Sequence, residues 1–273
     1  MTRCAVLGSP IAHSLSPALH RAAYAELGLD WTYDAIEVDE ASLPDFLDGL
    51  DSTWRGLSLT MPLKRSVVPL LDRYDPIVDR TGVANTVLVE EGHLAGRNTD
   101  VPGAVAALRE GLGSSPVGDA TVLGGGATAT SMIFALADLG CREVRLLVRS
   151  RARAQDAVEA VARHPQAPRV LVEEFHAVPA TDVLVSTIPA GAQTPDLVAG
   201  LHAAVVFDVV YDPWPTPLAA AALADGARLV SGLDLLVHQA VDQVALMTRT
   251  PRAEVPVGAM RAAGEAALTG RRA

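Results

Sequence analysis

Apolar, strand-like segments alternate with amphipathic, helix-like segments along most of this 273-residue chain. Two strands that pair in parallel need a crossover between them, and that crossover is usually a helix. The alternation therefore predicts an α/β fold whose sheets are rich in parallel strands and covered by helices on both faces. The length is sufficient for two domains with separate cores.

A segment rich in Gly, Ser and Pro, residues 111–119, divides the alternation into two series. The first series contains predicted strands at 4–7, 32–37 and 55–59, helices at 16–27, 42–50 and 62–71, a hairpin at 83–96 and a helix from about 100 to 111. The second contains predicted strands at 120–123, 143–148, 169–172, 182–186, 204–210 and 228–230, and helices at 128–139, 151–163 and 216–224. Two last helices, at about 233–248 and 257–268, are expected to return and pack on the first domain.

Charge and cysteine content limit the partners of the chain. A net charge of -10 argues against a nucleic-acid-binding or anionic-membrane surface. Cys4 and Cys141 lie in apolar contexts without metal-ligand spacing, which favours a reducing compartment. The sequence begins with a strand and contains no apolar run long enough to span a membrane. We therefore expect a cytoplasmic protein without a metal, nucleic-acid or membrane partner.

The strand-like run Thr121–Leu123 leads directly into three glycines and a helix-like run. Gly124, Gly126 and Ala129 match the G-x-G-x-x-G/A fingerprint of dinucleotide-binding domains in the expected strand–turn–helix context. Glycines there allow a tight turn and a close approach of the backbone to a pyrophosphate, which the N-terminus of the following helix attracts. An ordinary strand–helix turn is the alternative interpretation of the glycines alone.

The residues after the next predicted strand favour NADP over NAD. An NAD site usually ends this strand with a carboxylate for the ribose 2′-hydroxyl, whereas here Arg149, Ser150, Arg151 and Arg153 follow Val148. Guanidinium groups and a hydroxyl suit a 2′-phosphate. A merely solvated basic helix start is the alternative, but cations at a helix N-terminus oppose the helix dipole. We therefore expect NADP(H) as the cofactor.

The loop after the first strand carries two hydroxyls, Ser14 and Ser16, between Pro10 and Pro17. Its position at the carboxyl end of a strand suits the binding of a small, oxygen-rich ligand. For Ser16 the alternative is a helix N-cap, since serine before proline is favoured at a helix start. Because that alternative leaves Ser14 unexplained, Ser14 is the stronger candidate for a binding role.

Three further polar residues, Lys64, Asn85 and Asp100, stand near strand ends or helix starts. Each has an ordinary alternative: a solvated lysine on a helix, an asparagine in a turn and an aspartate at an N-cap. Together with the hydroxyls and a nicotinamide site, they provide what reduction of a polyhydroxylated ketone requires. Hydride passes from the nicotinamide to the carbonyl carbon while a positioned acid delivers a proton to the oxygen.

In combination, these segments resemble the shikimate dehydrogenase family, the NADP-dependent enzymes of chorismate and aromatic amino-acid biosynthesis. The resemblance covers nearly the whole chain in order and rests on the motifs at 8–17, 60–64, 82–86, 96–100, 208–213, 216–218 and 232–240. It implies the reversible, NADPH-dependent reduction of 3-dehydroshikimate to shikimate. It also implies an α/β substrate domain formed by residues 1–100 and 236–273, and a Rossmann-like NADP-binding domain with a parallel sheet formed by residues 101–235.

The resemblance also implies a role for each candidate site residue. The catalytic residues would be Lys64 and Asp100. The substrate would be bound by Ser14, Ser16, Thr60, Asn85, Asp100, Tyr211 and Gln239. NADP would be held by Gly124, Gly125, Gly126, Ala127, Thr128, Arg149, Ser150 and Arg153, with Val209 and Gly232 beside the nicotinamide. The expected partner is the small-molecule substrate, and the chain is expected to be a monomer or a homodimer.

The chain departs from the usual family pattern at Ser58 and Val148, where asparagines are common, in the order of the glycines, and at residues 186–191. These departures concern the affinity for the cofactor and not the type of reaction. Two alternatives to shikimate reduction stay open. One is a paralogue that acts on quinate or aminoshikimate. The other is a non-catalytic ligand-binding protein on the same scaffold, against which the presence of both Lys64 and Asp100 argues.

Overall fold

The computed structural model describes residues 1–113 and 115–272, and the chain divides into two compact units. One unit consists of Met1–Thr99 and Leu236–Ala273, and the other of Asp100–Leu235. Within the described ranges, no helix is both long enough and apolar enough to cross a membrane. The same ranges contain no group of three or more His, Cys, Asp or Glu side chains arranged to hold a metal ion.

The secondary structure follows the predicted alternation closely. The strands are β1 (Thr2–Gly8), β2 (Trp31–Glu37), β3 (Trp54–Leu59), β4 (Arg73–Tyr74), β5 (Thr86–Glu90), β6 (His93–Arg97), β7 (Asp119–Leu123), β8 (Glu143–Val148), β9 (Arg169–Glu174), β10 (Thr181–Ser186), β11 (Ala203–Asp208) and β12 (Arg228–Ser231). The α-helices are α1 (Ser16–Glu26), α2 (Leu43–Asp48), α3 (Leu63–Ser66), α4 (Pro76–Thr81), α5 (Asp100–Leu112), α6 (Ala127–Asp138), α7 (Gln155–Val161), α8 (Pro195–Val198), α9 (Pro217–Asp225), α10 (Gly232–Thr248) and α11 (Val257–Arg272).

The first unit is built on a mixed sheet with the strand order β2-β1-β3-β5-β6-β4. β1 pairs in parallel with β2 and β3, while the β5–β6 hairpin is antiparallel to β3. A core of aliphatic side chains, including the fully buried Leu7, Leu57 and Leu63, lies against this sheet. Because β5 runs antiparallel to β3, it begins at the edge of the sheet at which β1 and β3 end.

The second unit is built on a parallel sheet with the strand order β12-β11-β10-β7-β8-β9. The chain fills one half of this sheet from β7 outward to β9 and then crosses to β10 on the other side of β7. This is the strand order of a Rossmann domain, in which ligands bind at the carboxyl ends of the strands where the order reverses. The predicted fold class is therefore confirmed.

The C-terminal helices pack on the first unit, as predicted. Arg55 in β3 donates from Nε to the backbone carbonyl of Met247 in α10 (2.8 Å). Near the end of α11, Arg271 donates to the backbone carbonyls of His13 (2.9 Å) and Ser14 (3.4 Å). The tail of the chain thus supports the loop that carries the two candidate serines.

Two predicted helices are wrong in part. The helix predicted at 62–71 ends at Ser66, and a 3-10 turn follows at Val68–Leu70. Pro69 accounts for this break, because proline lacks an N–H and its ring clashes with the carbonyl four residues earlier. The helix predicted at 151–163 begins with a 3-10 turn and becomes α-helical only at α7.

The sequence analysis does not predict α4, although its signals are present in the sequence. Asp75 caps this helix by accepting a hydrogen bond from the Val78 N–H (2.8 Å), and Pro76 follows at the first helical position. Gly82 ends the helix in the left-handed conformation (φ 63) that favours glycine. The sequence prediction left the segment between the helix at 62–71 and the hairpin at 83–96 unassigned.

Candidate active site

The candidate substrate residues of the first unit gather at one edge of its sheet. β1 and β3 are parallel, with Leu7 opposite Leu59, so the loops after these strands emerge at the same edge. β5 is antiparallel to β3 and pairs Thr86 with Ser58, which brings Asn85 to this edge as well. We call it the polar edge of the first sheet.

Ser14 and Ser16 lie in the loop after β1 and at the start of α1. Ser14 is half-buried, and its Oγ accepts a hydrogen bond from the backbone N–H of Ser16 (3.3 Å). The N-cap position belongs to Leu15, so the interpretation of Ser16 as the helix cap is wrong. Ser16 instead stands inside the first turn, where it is 4% exposed. Its hydroxyl is therefore available for a role other than capping.

Thr60 and Lys64 follow β3 at the polar edge. The Thr60 N–H donates to the carbonyl of Leu7 (2.9 Å), which extends the pairing of β1 and β3 by one residue. Lys64 is half-buried in α3, and its backbone carbonyl accepts from the Ala84 N–H (2.9 Å). The lysine is thus fixed to the segment that leads into Asn85.

Asn85 and Gln239 are far apart in sequence but adjacent in the structure. Nδ2 of Asn85 donates to Oε1 of Gln239 (3.2 Å), and both residues are more than nine-tenths buried. Oδ1 of Asn85 accepts from the Thr99 N–H (2.8 Å), which can only donate. Because of that contact, the orientation of the Asn85 amide is fixed by the backbone.

The candidate cofactor residues of the second unit lie at the carboxyl edge of the parallel sheet. Gly124 follows β7 with φ 102, a conformation that other residues rarely adopt, and a Cβ there would come within 2.5 Å of Thr187 Oγ1. Gly126 is the N-cap of α6 with an ordinary φ of -84. A Cβ built on Gly126 meets no described protein atom within 4 Å. Open space therefore lies directly in front of the helix N-terminus.

This arrangement fits the phosphates of a dinucleotide. The open space at Gly126 permits a close approach of a pyrophosphate, and the N-terminus of α6 favours negative charge. After β8, Arg149 is exposed and Ser150 is half-buried, with no carboxylate beside them in the sequence. The side chain of Arg153 lies outside the described residues. A 2′-phosphate would find a guanidinium and a hydroxyl at this strand end.

A buried carboxylate organises the end of β11. Asp208 accepts hydrogen bonds at Oδ2 from Gln193 Nε2 (2.8 Å) and Thr216 Oγ1 (2.7 Å), and at Oδ1 from the Val210 N–H (3.2 Å). Burial raises the pKa of Asp208, while the hydrogen bonds to its charged form act in the opposite direction. This network fixes the backbone that follows β11, where Val209 lies.

Gly232 lies in direct contact with the backbone of Val209. A Cβ on Gly232 would come within 2.1 Å of the Val209 carbonyl oxygen, so only glycine allows this approach. Tyr211 is half-buried in the same loop, and Asp100 is the buried first residue of α5. Lys64 belongs to the first unit and Asp100 to the second, so their catalytic pairing stays a prediction.

Comparison with known proteins identifies the family. A family model described as the shikimate dehydrogenase substrate binding domain matches residues 6–87. A shikimate dehydrogenase (NADP(+)) from Methylobacterium radiotolerans is 39% identical over 88% of this chain and 88% of its own. The chain belongs to the shikimate dehydrogenase family. The resemblance stated from the sequence motifs is therefore confirmed.

Solved structures of shikimate dehydrogenases and their relatives share this two-unit fold. Shikimate 5-dehydrogenase from Thermus thermophilus, in complex with NADP(H) and shikimate, is 32% identical with a TM-score of 0.81, covering 98% of this chain and 100% of that one. Quinate dehydrogenase from Corynebacterium glutamicum, in complex with NAD, is 29% identical with a TM-score of 0.87, covering 97% and 99%. The fold alone thus accommodates more than one substrate and cofactor.

The sequence analysis misses several polar residues that support the candidate site. Gln243 lies one helical turn after Gln239 in α10, and it is 1% exposed. The i, i+4 spacing of two glutamines on one face of the helix was the signal that could have revealed it. Tyr33 and Thr86, which are also buried, give no such signal because their partners Ser58 and Gln243 are distant in sequence.

We predict that Gly126→Ala weakens NADP+ binding without unfolding the protein. The new methyl group enters space that is free of described protein atoms, so the free energy of unfolding should fall by less than about 1 kcal/mol. The same methyl group stands where the pyrophosphate approaches, so the Kd for NADP+ should rise roughly tenfold or more. Calorimetric titration and thermal unfolding measure the two quantities.

Gly258→Ala is the matched control, because a Cβ at Gly258, in α11 of the first unit, also meets no described atom within 4 Å. It should leave the Kd unchanged. An unchanged Kd for NADP+ in Gly126→Ala would contradict the assignment of this turn to the cofactor.

Proposed function

We propose that this chain catalyses the reversible, NADP(H)-dependent reduction of 3-dehydroshikimate to shikimate, a step of chorismate and aromatic amino-acid biosynthesis. The observation that carries the proposal is that this one chain has two sheet edges of different chemistry, one in each unit. One edge offers buried amides and hydroxyls for a polyhydroxylated ring, and the other offers a glycine turn and an arginine for a phosphorylated dinucleotide.

The polar edge of the first sheet supplies the groups for the substrate. Ser14 and Ser16 are assigned to the substrate carboxylate, since two hydroxyls at a helix start can donate to an anion. Asn85 and Gln239, with Thr60, are assigned to the ring hydroxyls. A site built from such hydrogen-bonding groups rejects analogues that lack a hydroxyl, because its own buried polar atoms would then be left unpaired.

The second unit supplies the cofactor site. When bound, NADP(H) provides the hydride that the reaction transfers. The residues from Gly124 to Thr128 would hold its pyrophosphate, and Arg149 and Ser150 with Arg153 its 2′-phosphate. Val209 and Gly232 would orient the nicotinamide ring, because the Asp208 network fixes the backbone after β11 and Gly232 packs against the Val209 carbonyl.

Lys64 and Asp100 are the two groups proposed to hold the proton at the reacting oxygen. An ammonium group close to that oxygen stabilises the negative charge that develops as hydride arrives at the carbon. A positioned proton donor of this kind contributes roughly 10²- to 10⁴-fold to a reaction rate. Tyr211 is assigned to the wall of the substrate pocket.

Quinate is the second candidate substrate. The similarity to quinate dehydrogenase in fold, with a TM-score of 0.87, is the observation that favours it. Arg149 after β8, without a neighbouring carboxylate, favours NADP over the NAD of that relative. The pair of serines at 14 and 16 favours shikimate, and a direct comparison of the two substrates decides between them.

We predict that the chain reduces NADP+ with shikimate and that Lys64→Ala lowers kcat by roughly 10²- to 10⁴-fold with little change in KM. The reason is that Lys64 acts on the oxygen at which charge develops, not on the bound ground state. Steady-state absorbance assays with shikimate, quinate and aminoshikimate, each with NADP+ and NAD+, provide the measurement. Arg65→Ala is the control, since it removes the neighbouring cation of the same helix.

Absence of turnover with all three substrates would refute the enzymatic function and leave the ligand-binding alternative. Turnover with NAD+ only would refute the role of Arg149. A large loss of substrate affinity in Lys64→Ala with kcat intact would contradict its catalytic role.

We predict further that Ser14→Ala raises the KM for shikimate by roughly tenfold while thermal stability changes little. Ser14 is half-buried. Among the described residues, its side chain makes one hydrogen bond, the long contact from the Ser16 N–H (3.3 Å). Ser9→Ala is a suitable control, since this serine lies in the same loop but donates to Glu37 (3.0 Å) on the surface. Equal KM values for the two variants would contradict the assignment of Ser14 to the carboxylate.

A further inference from the structure

A chain of buried polar side chains runs through the first unit beneath its polar edge. Each member is at most 6% exposed, and each is connected to the next by a hydrogen bond. In order, the members are Tyr33, Ser58, Gln243, Thr86, Asn85 and Gln239. We call this set the buried chain. It ends at the two amides assigned to the ring hydroxyls.

The orientation of Gln243 is forced by its surroundings. Nε2 of Gln243 donates to the backbone carbonyl of Asn85 (3.3 Å), which can only accept, and to Thr86 Oγ1 (3.0 Å). Oε1 therefore faces Ser58, whose hydroxyl must donate to it (2.9 Å). Thr86, having accepted from Gln243, donates its own hydroxyl hydrogen to Asn85 Oδ1 (3.0 Å).

The two ends of the buried chain have fixed directions as well. At one end, Tyr33 donates to Ser58 Oγ (2.6 Å), because that serine has already used its hydrogen on Gln243. Burial raises the pKa of Tyr33, although hydrogen bonds with Ser58 and Ser16 oppose the rise, so its hydroxyl stays a neutral donor. At the other end, Gln239 donates to the Leu236 carbonyl (3.0 Å), which turns its Oε1 toward Asn85.

Every link from Tyr33 to Gln239 therefore has a fixed donor and a fixed acceptor. Hydrogen bonds connected in this way polarise one another, and breaking one weakens its neighbours. Gln243 stands in the middle and is the single side chain that both accepts from the Tyr33–Ser58 segment and donates to the Thr86–Asn85 segment. Its replacement separates the two halves.

We propose that Gln243 is a positioning residue for substrate recognition: it sets the hydrogen-bond direction of Thr86, which together with the Thr99 N–H holds the Asn85 amide ready for the ring hydroxyls. The inference rests on the proposed function, because only there does Asn85 bind the substrate. Gln243 itself is assigned to neither substrate nor cofactor. It acts by keeping Thr86 a donor to Asn85 rather than to another group.

Replacing Gln243 by Glu tests whether the direction of the hydrogen bond between Thr86 and Asn85 matters, because the size of the side chain at 243 stays nearly the same. A carboxylate at this position has nearly the same shape but accepts where the amide donates, so it takes the Thr86 hydrogen away from Asn85 and faces the Asn85 carbonyl. Once protonated, the carboxyl group has one hydrogen to donate, so it can restore the bond to Thr86, one of the two that the amide makes. Burial raises the pKa of such a carboxyl, so lowering the pH favours this protonated form.

We expect the Kd for shikimate of Gln243→Glu, measured by calorimetry on the full chain without cofactor, to exceed that of the wild type roughly tenfold at about pH 8.5. The ratio of the two values should fall as the pH is lowered to about 5.5. Gln243→Leu has no titrating group, so its Kd should exceed the wild-type value to a similar extent at every pH. In the steady state, both variants should raise KM more than they lower kcat.

Val244→Ala is the control for simple loosening of α10, because Val244 is the next residue, fully buried and apolar. It should leave the Kd within about twofold of the wild type. If the Gln243 variants do not fold, Tyr33→Phe and Thr86→Val interrupt the same buried chain on either side of Gln243 and should each raise the Kd.

A wild-type Kd for Gln243→Glu and Gln243→Leu at every pH, or a ratio for Gln243→Glu that does not change with pH, would overturn the positioning role. So would a wild-type Kd for both Tyr33→Phe and Thr86→Val. A wild-type protein that fails to bind shikimate at all would instead refute the proposed function, and this inference with it.

Discussion

Parallel strand pairing is the constraint on which the rest of this structure depends. In the second unit, the parallel register of β7, β8, β10, β11 and β12 places the carboxyl ends of these strands at one edge of the sheet. The glycine turn, Arg149, Val209 and Gly232 follow at this edge. In the first unit, the parallel β1 and β3 do the same for the serine loop and Lys64. Residues far apart in sequence become neighbours because strands that run in the same direction end together.

The second constraint is that buried polar groups must be hydrogen-bonded, since leaving one unpaired costs about 1–3 kcal/mol. At the candidate site residues, both units meet this requirement with networks rather than with isolated pairs. Asp208 is held by Gln193 and Thr216, and Asn85 is held by Thr86 and Thr99. Networks of this kind fix the direction of each donor, and fixed donors are what selective recognition of a hydroxylated ring requires.

How far the sequence predicts the structure depends on whether the signal is local. The glycine turn after β7 could be predicted because a strand, its glycines and a helix are adjacent in sequence. The cap at Asp75, with Pro76 after it and Gly82 at the helix end, is equally local, although the sequence prediction left this segment unassigned. The contact of Asn85 with Gln239 spans 154 residues and could be expected only from the resemblance to a family.

Gln243 shows why the remainder could not be predicted. Its spacing from Gln239 is visible in the sequence, but its partners Ser58 and Thr86 lie more than 150 residues away. Ser16 is the converse case, because local capping rules favoured a role that the structure assigns to another residue. Local rules describe how an element starts, whereas the direction of a buried hydrogen bond depends on the whole sheet.

The central claim is that the polar edge of the first sheet binds shikimate in one orientation. A crystal structure of this chain with shikimate and NADP+ tests it most directly. The account predicts the substrate carboxylate within hydrogen-bond distance of the Ser14 and Ser16 hydroxyls, and the ring hydroxyls on Asn85 and Gln239. A substrate bound with its carboxylate at Asn85, or bound away from this edge, would contradict the account.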